Sequence, residues 1–187
     1  MKRQTVVVSA GTYHLPFNRL VDWLQPWTSA HPQVRIIMQH GPGVPLSGAE
    51  NHTLIPYPDL MDLYQAADAI VLQGGAGGVM DMRKLDRIPI VVPRIPIENE
   101  VVDDHQLLFT ERLAALGIVT RVLSQQDLWI SLDAALDGSL STHRKAGVPT
   151  PGVANVTELL RALPQTIGWG GRLRRIRQST AGAFRRH

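Results

Sequence analysis

The chain has 187 residues, 44% of them apolar and four of them Trp, which suffices for one globular domain with a real core and some chain to spare. It contains no cysteine, which excludes disulfides, thiolate metal sites and a cysteine nucleophile, so any chemistry must use oxygen and nitrogen groups. The net charge of +3 hides an asymmetry: residues 168–187 hold six Arg and no acid, leaving 13 Lys plus Arg against 16 acids elsewhere, about −3. A mildly acidic body with a basic tail is not the footprint of a domain that binds nucleic acid over a whole face, and no nucleic-acid partner is expected.

Thr5 to Ser9 is a short apolar run bounded by Gly11, the pattern of a strand buried on both faces of a parallel sheet. It is too short for a signal peptide or membrane span, so a cytoplasmic protein is expected. Phe17, Leu20, Val21 and Leu24 recur at helical spacing and predict a helix from Phe17 to about Trp27, ending near Pro26 or soon after. Val34 to Met38 reads as a second strand, Gly41 to Gly48 as a loop, and Pro58 to Tyr64 as a short helix with proline and acids in its first turn.

Asp68 to Leu72 is the next strand, followed by the glycine-rich turn Gln73-Gly74-Gly75-Ala76-Gly77-Gly78, a helix from Val79 to Leu85 and a strand from Pro89 to Val92. Val102 to Leu116 predicts an amphipathic helix stopped by Gly117, Ile118 to Leu123 a strand, and Asp127 to Leu136 a helix. The alternation predicts an α/β fold: a single Rossmann-like open parallel sheet with helices on both faces, over residues 1–140. Residues 141–187 read as a Gly/Pro-rich linker, a short helix from Val156 to Leu163 and the arginine tail.

In such a sheet, ligands bind beyond the carboxyl ends of the strands, so three loops carry the interest. In Gly11-Thr12, glycine permits close backbone approach and Thr12 offers a hydroxyl near a helix start; a simple turn is the alternative. From Gln73 to Gly78, four glycines in six residues expose backbone N–H groups before a helix, as a diphosphate cradle requires. Asp81, one turn on, is placed to reach sugar hydroxyls. A turn that only lets helix and strand pack tightly, with Asp81 complementing the helix dipole, fits the same residues.

The third loop, Asn99 to Gln106, gathers Asp103, Asp104, His105 and Gln106, which together can ligate hydroxyls, hold a metal or move protons. An ordinary helix start with Asp103 or Asp104 as N-cap is the alternative. His105 has no second histidine at helical spacing, and no metal site is expected. His14, His31, His40, His52 and His143 read as solvated or locally bonded.

Val8-Ser9-Ala10-Gly11-Thr12 with Pro16 to Leu20, Gly74 to Asp81, Ile88 to Arg94 and Val102 to Gln106 together resemble the PssE-type polysaccharide glycosyltransferases. These are related to the C-terminal half of the lipid II synthase MurG, in glycosyltransferase family 28. The resemblance covers about residues 4 to 137. It implies the donor-binding C-terminal half of a GT-B fold, without cofactor or metal, acting as a hexosyltransferase by inverting transfer from a UDP-sugar to a lipid-linked or polysaccharide-precursor acceptor.

The same resemblance implies a membrane-associated partner subunit, like the MurG N-terminal half, that binds the acceptor and carries the general base. It places Gly11, Thr12 and Gln73 to Gly78 at the diphosphate, Asp81 at the ribose, and Asp104, His105 and Gln106 toward the donor sugar. The chain departs from the family in having Gln73 where His is usual, Asp81 where Glu is usual, Gly-Ala-Gly-Gly for a more common Gly-Pro-containing turn, and different residues at Tyr13 and His14. The tail, Trp169 to Arg177 with Phe184-Arg185-Arg186, interleaves arginine with apolar residues and could lie on anionic lipid at the inner face of the cell membrane, dock the partner, or be solvated. A non-catalytic nucleotide-binding regulator that keeps the fold is the competing function.

Overall fold

The computed structural model describes residues 3–144. The helix expected at Val156 to Leu163 and the arginine tail lie outside the described residues. Six strands, β1 (Thr5–Ser9), β2 (Arg35–Gln39), β3 (Glu50–His52), β4 (Ala69–Gln73), β5 (Ile90–Val92) and β6 (Thr120–Arg121), form one sheet in the order β3-β2-β1-β4-β5-β6. Every pairing is parallel. The expected open parallel sheet, Rossmann-like in strand order, is therefore what forms.

The continuous apolar runs are explained by cover on both faces, because successive side chains of a strand point to opposite sides. Val6 and Val8 pack with Leu20, Leu24 and Trp27 of α1 (Asn18–Ala30) and with Leu128 and Leu132 of α5 (Gln125–Asp137). Val7, between them, packs on the other face with Tyr64 of α2 (Tyr57–Ala66) and with Val79 and Met82 of α3 (Ala76–Lys84). Phe109 and Leu113 of α4 (His105–Ala115) complete that second core. Each such buried aliphatic side chain contributes at most ~1.5–3 kcal/mol.

α1 runs through Pro26, where the helix should weaken because proline has no N–H to give the carbonyl four residues back. α5 compensates. Gln125 Nε2 donates to the freed Asp22 carbonyl at 3.4 Å, and Trp129 Nε1 donates to the next carbonyl, that of Trp23, at 2.7 Å. α5 begins two residues earlier than its apolar spacing predicts because Ser124 caps it, accepting from Asp127 N–H at 3.1 Å.

Three differences from the sequence reading have physical causes. β3 is an unpredicted edge strand whose three residues, Glu50, Asn51 and His52, carry no apolar signal. α4 starts at His105 rather than Val102, after a short 3-10 turn at Pro96–Glu98. α3 starts at Ala76 rather than Val79, so that Gly77 and Gly78 are helical and the turn proper is Gly74-Gly75. A first helical turn donates its N–H groups to no partner within the helix, and glycine propensity matters least there.

At the sheet end away from the strand carboxyl termini, Ile88 N–H donates to Thr142 O at 2.9 Å and Arg144 N–H to Asp86 O at 2.9 Å, with Arg87 and His143 bridged antiparallel. The compact body thus includes Arg144. Arg87, 1% exposed, donates to the carbonyls of Tyr64, Gln65 and Ala67 at the end of α2, where a cation complements the helix dipole. No helix among the described residues is long and apolar enough to cross a membrane.

Candidate functional site

From β1 the chain turns toward β2, and from β4 toward β5 on the opposite side, so the loops leaving these adjacent strands diverge. Between them lies a cleft of about 360 Å³, the position expected of a ligand site in an open α/β sheet. Gly11 and Thr12 line it from the β1 side, Gln73, Gly75, Gly77, Gly78 and Asp81 from the β4 side, and Tyr57, Leu60 and Tyr64 from α2.

The glycines divide into two kinds. A Cβ on Gly74 would stand 2.9 Å from Thr110 Cγ2 and 3.0 Å from Gln106 Oε1, so Gly74 is required for packing against α4. A Cβ on Gly77 would meet nothing within 4 Å, so its absence serves no packing and leaves the backbone bare. Gly75, the N-cap of α3, supplies no side-chain cap, and Ala76 and Gly77 are exposed. The first N–H groups of α3 therefore open on the cleft side with the positive end of the helix dipole behind them, an arrangement suited to an anion.

Gly11 has φ +77°, and a Cβ there would collide with Gln73 Nε2. The Gln73 side chain thus lies across Gly11, joining the first loop to the second. Its Oε1 accepts from Arg94 Nε at 2.7 Å. Arg94 is 0% exposed and also donates to the carbonyls of Ala10, Leu15, Pro16 and Glu100. Burial pulls its pKa down while the Glu100 charge opposes. The Glu100 carboxylate, 3% exposed, is held by Arg19 through Nε at 2.9 Å and Nη2 at 2.8 Å, and accepts Ile95 N–H at 3.0 Å.

Asp81 Oδ1 accepts from the Tyr57 hydroxyl at 2.9 Å and from Lys84 Nζ at 2.8 Å; Lys84 Nζ also donates to the Tyr57 oxygen at 3.2 Å, and its bonds to Asp81, foremost, and to Tyr57 raise the Lys84 pKa. Buried polar groups lie among the apolar ones at the cleft floor. Ser9 Oγ accepts from Gln39 Nε2 at 3.3 Å and Gly11 N–H at 3.2 Å, and burial pushes the Tyr64 phenol up to about 12 against a hydrogen bond with Ser9.

The third loop is differently disposed. Gln106 Oε1 accepts Arg94 N–H at 3.0 Å, tying the end of β5 to α4 beside Gly74. Asp104 is the N-cap of α4 without a side-chain cap bond, and His105 is exposed with its Nδ1 2.7 Å from Asp103 Oδ1. Asp104, His105 and Gln106 do not line the cleft. The described residues contain no cluster of three or more metal-ligating side chains. His31 and His40 are bonded locally, to the carbonyls of Trp27 and Gly43.

Arg19, Tyr57, Arg94 and Glu100 escaped the sequence reading as site residues. For the last two a signal existed: a charged residue two positions after a buried strand, and an acid six residues on. Arg19 lies on a helix whose apolar spacing gave no reason to bury it, and Tyr57 belongs to a loop-to-helix transition.

The profile of the family described as glycosyltransferase family 28 C-terminal domain matches residues 5–151. No curated protein sequence matches significantly. Among solved structures, the chain is similar to the glycotransferase of kitacinnamycin, with 20% identity, TM-score 0.56, and coverage of 73% of this chain and 36% of that one. MurG of Acinetobacter baumannii gives 20% identity and TM-score 0.51, with 87% and 50% covered. The protein designated ALG13 gives 16% identity and TM-score 0.56, with 83% and 95% covered. At these identities the likeness is one of fold. The chain spans about a third of the kitacinnamycin enzyme and half of MurG, but nearly all of ALG13.

Proposed function

Because the chain belongs to the glycosyltransferase family 28 C-terminal domain family, we propose that it is the donor-binding half of an inverting, metal-independent glycosyltransferase that takes a UDP-sugar. The observation that carries this reading is the bare N-terminus of α3, with Gly75, Gly77 and Gly78 lining the cleft at the divergence of β1 and β4. The donor's diphosphate sits there, with Gly11, Thr12 and Gln73 on its other side, and Asp81 takes the ribose hydroxyls. Transfer requires the departing diphosphate to be stabilised as negative charge grows on it. Each well-placed N–H donor contributes ~3 kcal/mol to such a step.

The other requirement is deprotonation of an acceptor hydroxyl on the far face of the sugar, and for this the chain needs a partner. A complete enzyme of this architecture has two facing domains; the coverage of half of MurG and of nearly all of ALG13 is consistent with one half. The partner is a membrane-associated, acceptor-binding subunit of the PssE-type systems, and the product a lipid-linked or polysaccharide precursor. Asp104, His105 and Gln106, at the start of α4 and outside the cleft lining, face the donor sugar beside the diphosphate. Residues 168–187 add basic charge suited to an anionic membrane or to the partner.

Isothermal calorimetry with UDP, UDP-sugars and uridine tests the reading. UDP binding that weakens with Asp81→Ala is the expected result; absence of UDP binding, or insensitivity to that change, overturns it. Sugar transfer on adding a cognate acceptor-binding subunit tests the two-component arrangement, and binding without transfer in that mixture would favour a regulator. Loss of vesicle or partner binding on deleting 168–187 is the outcome expected for the tail.

A further inference from the structure

Arg94 cannot accept a hydrogen bond, so the Gln73 atom 2.7 Å from its Nε must be the carbonyl oxygen. The Gln73 NH2 then points the other way, and it lies against Gly11 and 3.2 Å from the point where a Cβ on Gly75 would stand. Both glycines line the cleft. The orientation of this amide, ambiguous in most settings, is settled by a fully buried partner.

The charges behind the cleft are unequal. Arg19 occupies both oxygens of the Glu100 carboxylate, while Arg94 receives from Glu100 only the backbone carbonyl. The sole side-chain acceptor bonded to the Arg94 guanidinium, among the described residues, is Gln73. A cation on the carbonyl end of an amide polarises it and strengthens its N–H as a donor.

We propose that Arg94 is a positioning residue for anion binding: it fixes and polarises the Gln73 carboxamide so that Nε2–H donates to a phosphate held between Gly11 and Gly75. A neutral side chain thereby delivers part of a buried positive charge to the cleft. The inference rests on the nucleotide-diphosphate reading above and adds the residue that prepares the site.

The test is calorimetry of the full chain with UDP and with uridine, which lacks the phosphates. Gln73→Glu keeps the bond to Arg94 as an ion pair but presents an acceptor in place of the donor. It should keep the thermal midpoint and uridine binding while losing UDP affinity roughly tenfold or more, ~1.4 kcal/mol. Arg94→Met should lower UDP affinity with Gln73 present and have little further effect in the Gln73→Ala background.

A folded Gln73→Glu that binds UDP as the wild type does, or an Arg94→Met effect equal in both backgrounds, overturns the proposal while leaving the nucleotide reading standing. Wild-type protein that binds no UDP overturns both. Should Arg94→Met not fold, the Gln73→Glu comparison decides alone.

Discussion

The hydroxyl of Tyr57 on α2 donates to Asp81 Oδ1 on α3 at 2.9 Å, joining two helices that both line the cleft. Lys84 Nζ reaches the same oxygen at 2.8 Å, so the carboxylate proposed for the ribose is held by groups on both helices before any ligand arrives. Tyr57→Phe should therefore lower uridine and UDP affinity by the same factor, about two- to tenfold, the worth of one hydrogen bond to a charged group shared with a second donor. Calorimetry with both ligands checks it; a loss confined to UDP would show that Tyr57 acts on the phosphates instead.

Gly74 and Gly77 should respond oppositely to the same added methyl group. Gly74→Ala drives Cβ against Thr110 and Gln106 and should destabilise the fold by ~1–3 kcal/mol in urea unfolding. Gly77→Ala has open space in the first helical turn, and should leave stability unchanged or raise it by less than the ~1 kcal/mol of a helix interior, while weakening UDP binding through the obstructed backbone.

Glu100 is the carboxylate counterpart in a buried network with Arg19 and close to Arg94. Glu100→Ala leaves those charges uncompensated and should cost ~3–5 kcal/mol. A denaturation midpoint unchanged from wild type would show that water replaces the carboxylate.

His105 titrates above its ordinary value of 6.5 because Asp103 bonds to it, and Asp103 titrates below its ordinary 3.8 for the same reason. The raised histidine contributes its stabilisation fully below pH 6.5, and loses it as pH rises through the folded-state pKa; the depressed aspartate contributes above 3.8 and loses it as pH falls. The pair is therefore strongest between those limits. An NMR titration should place the His105 midpoint above 6.5 and return it toward 6.5 in Asp103→Asn, with overall stability barely altered because both groups are exposed.

The sheet was legible because a strand buried on both faces must be apolar at every position, as Val6, Val7 and Val8 are, whereas β3 was hidden because an edge strand of Glu50, Asn51 and His52 needs only backbone pairing. α1 runs four residues past Pro26, because the carbonyls around it are satisfied by Gln125 and Trp129, from a helix far along the chain.

What the sequence determined by itself is local: alternating elements, bare glycines before a helix, and an acid one turn on at Asp81. Which glycine packs and which opens, and which way Gln73 points, are decided by Thr110, Gln106 and Arg94, residues brought there from later strands and helices. Propensity and hydrophobic period act between neighbours in the chain. Burial, charge pairing and the direction of an amide depend on what the fold places alongside, and only the tertiary structure supplies that.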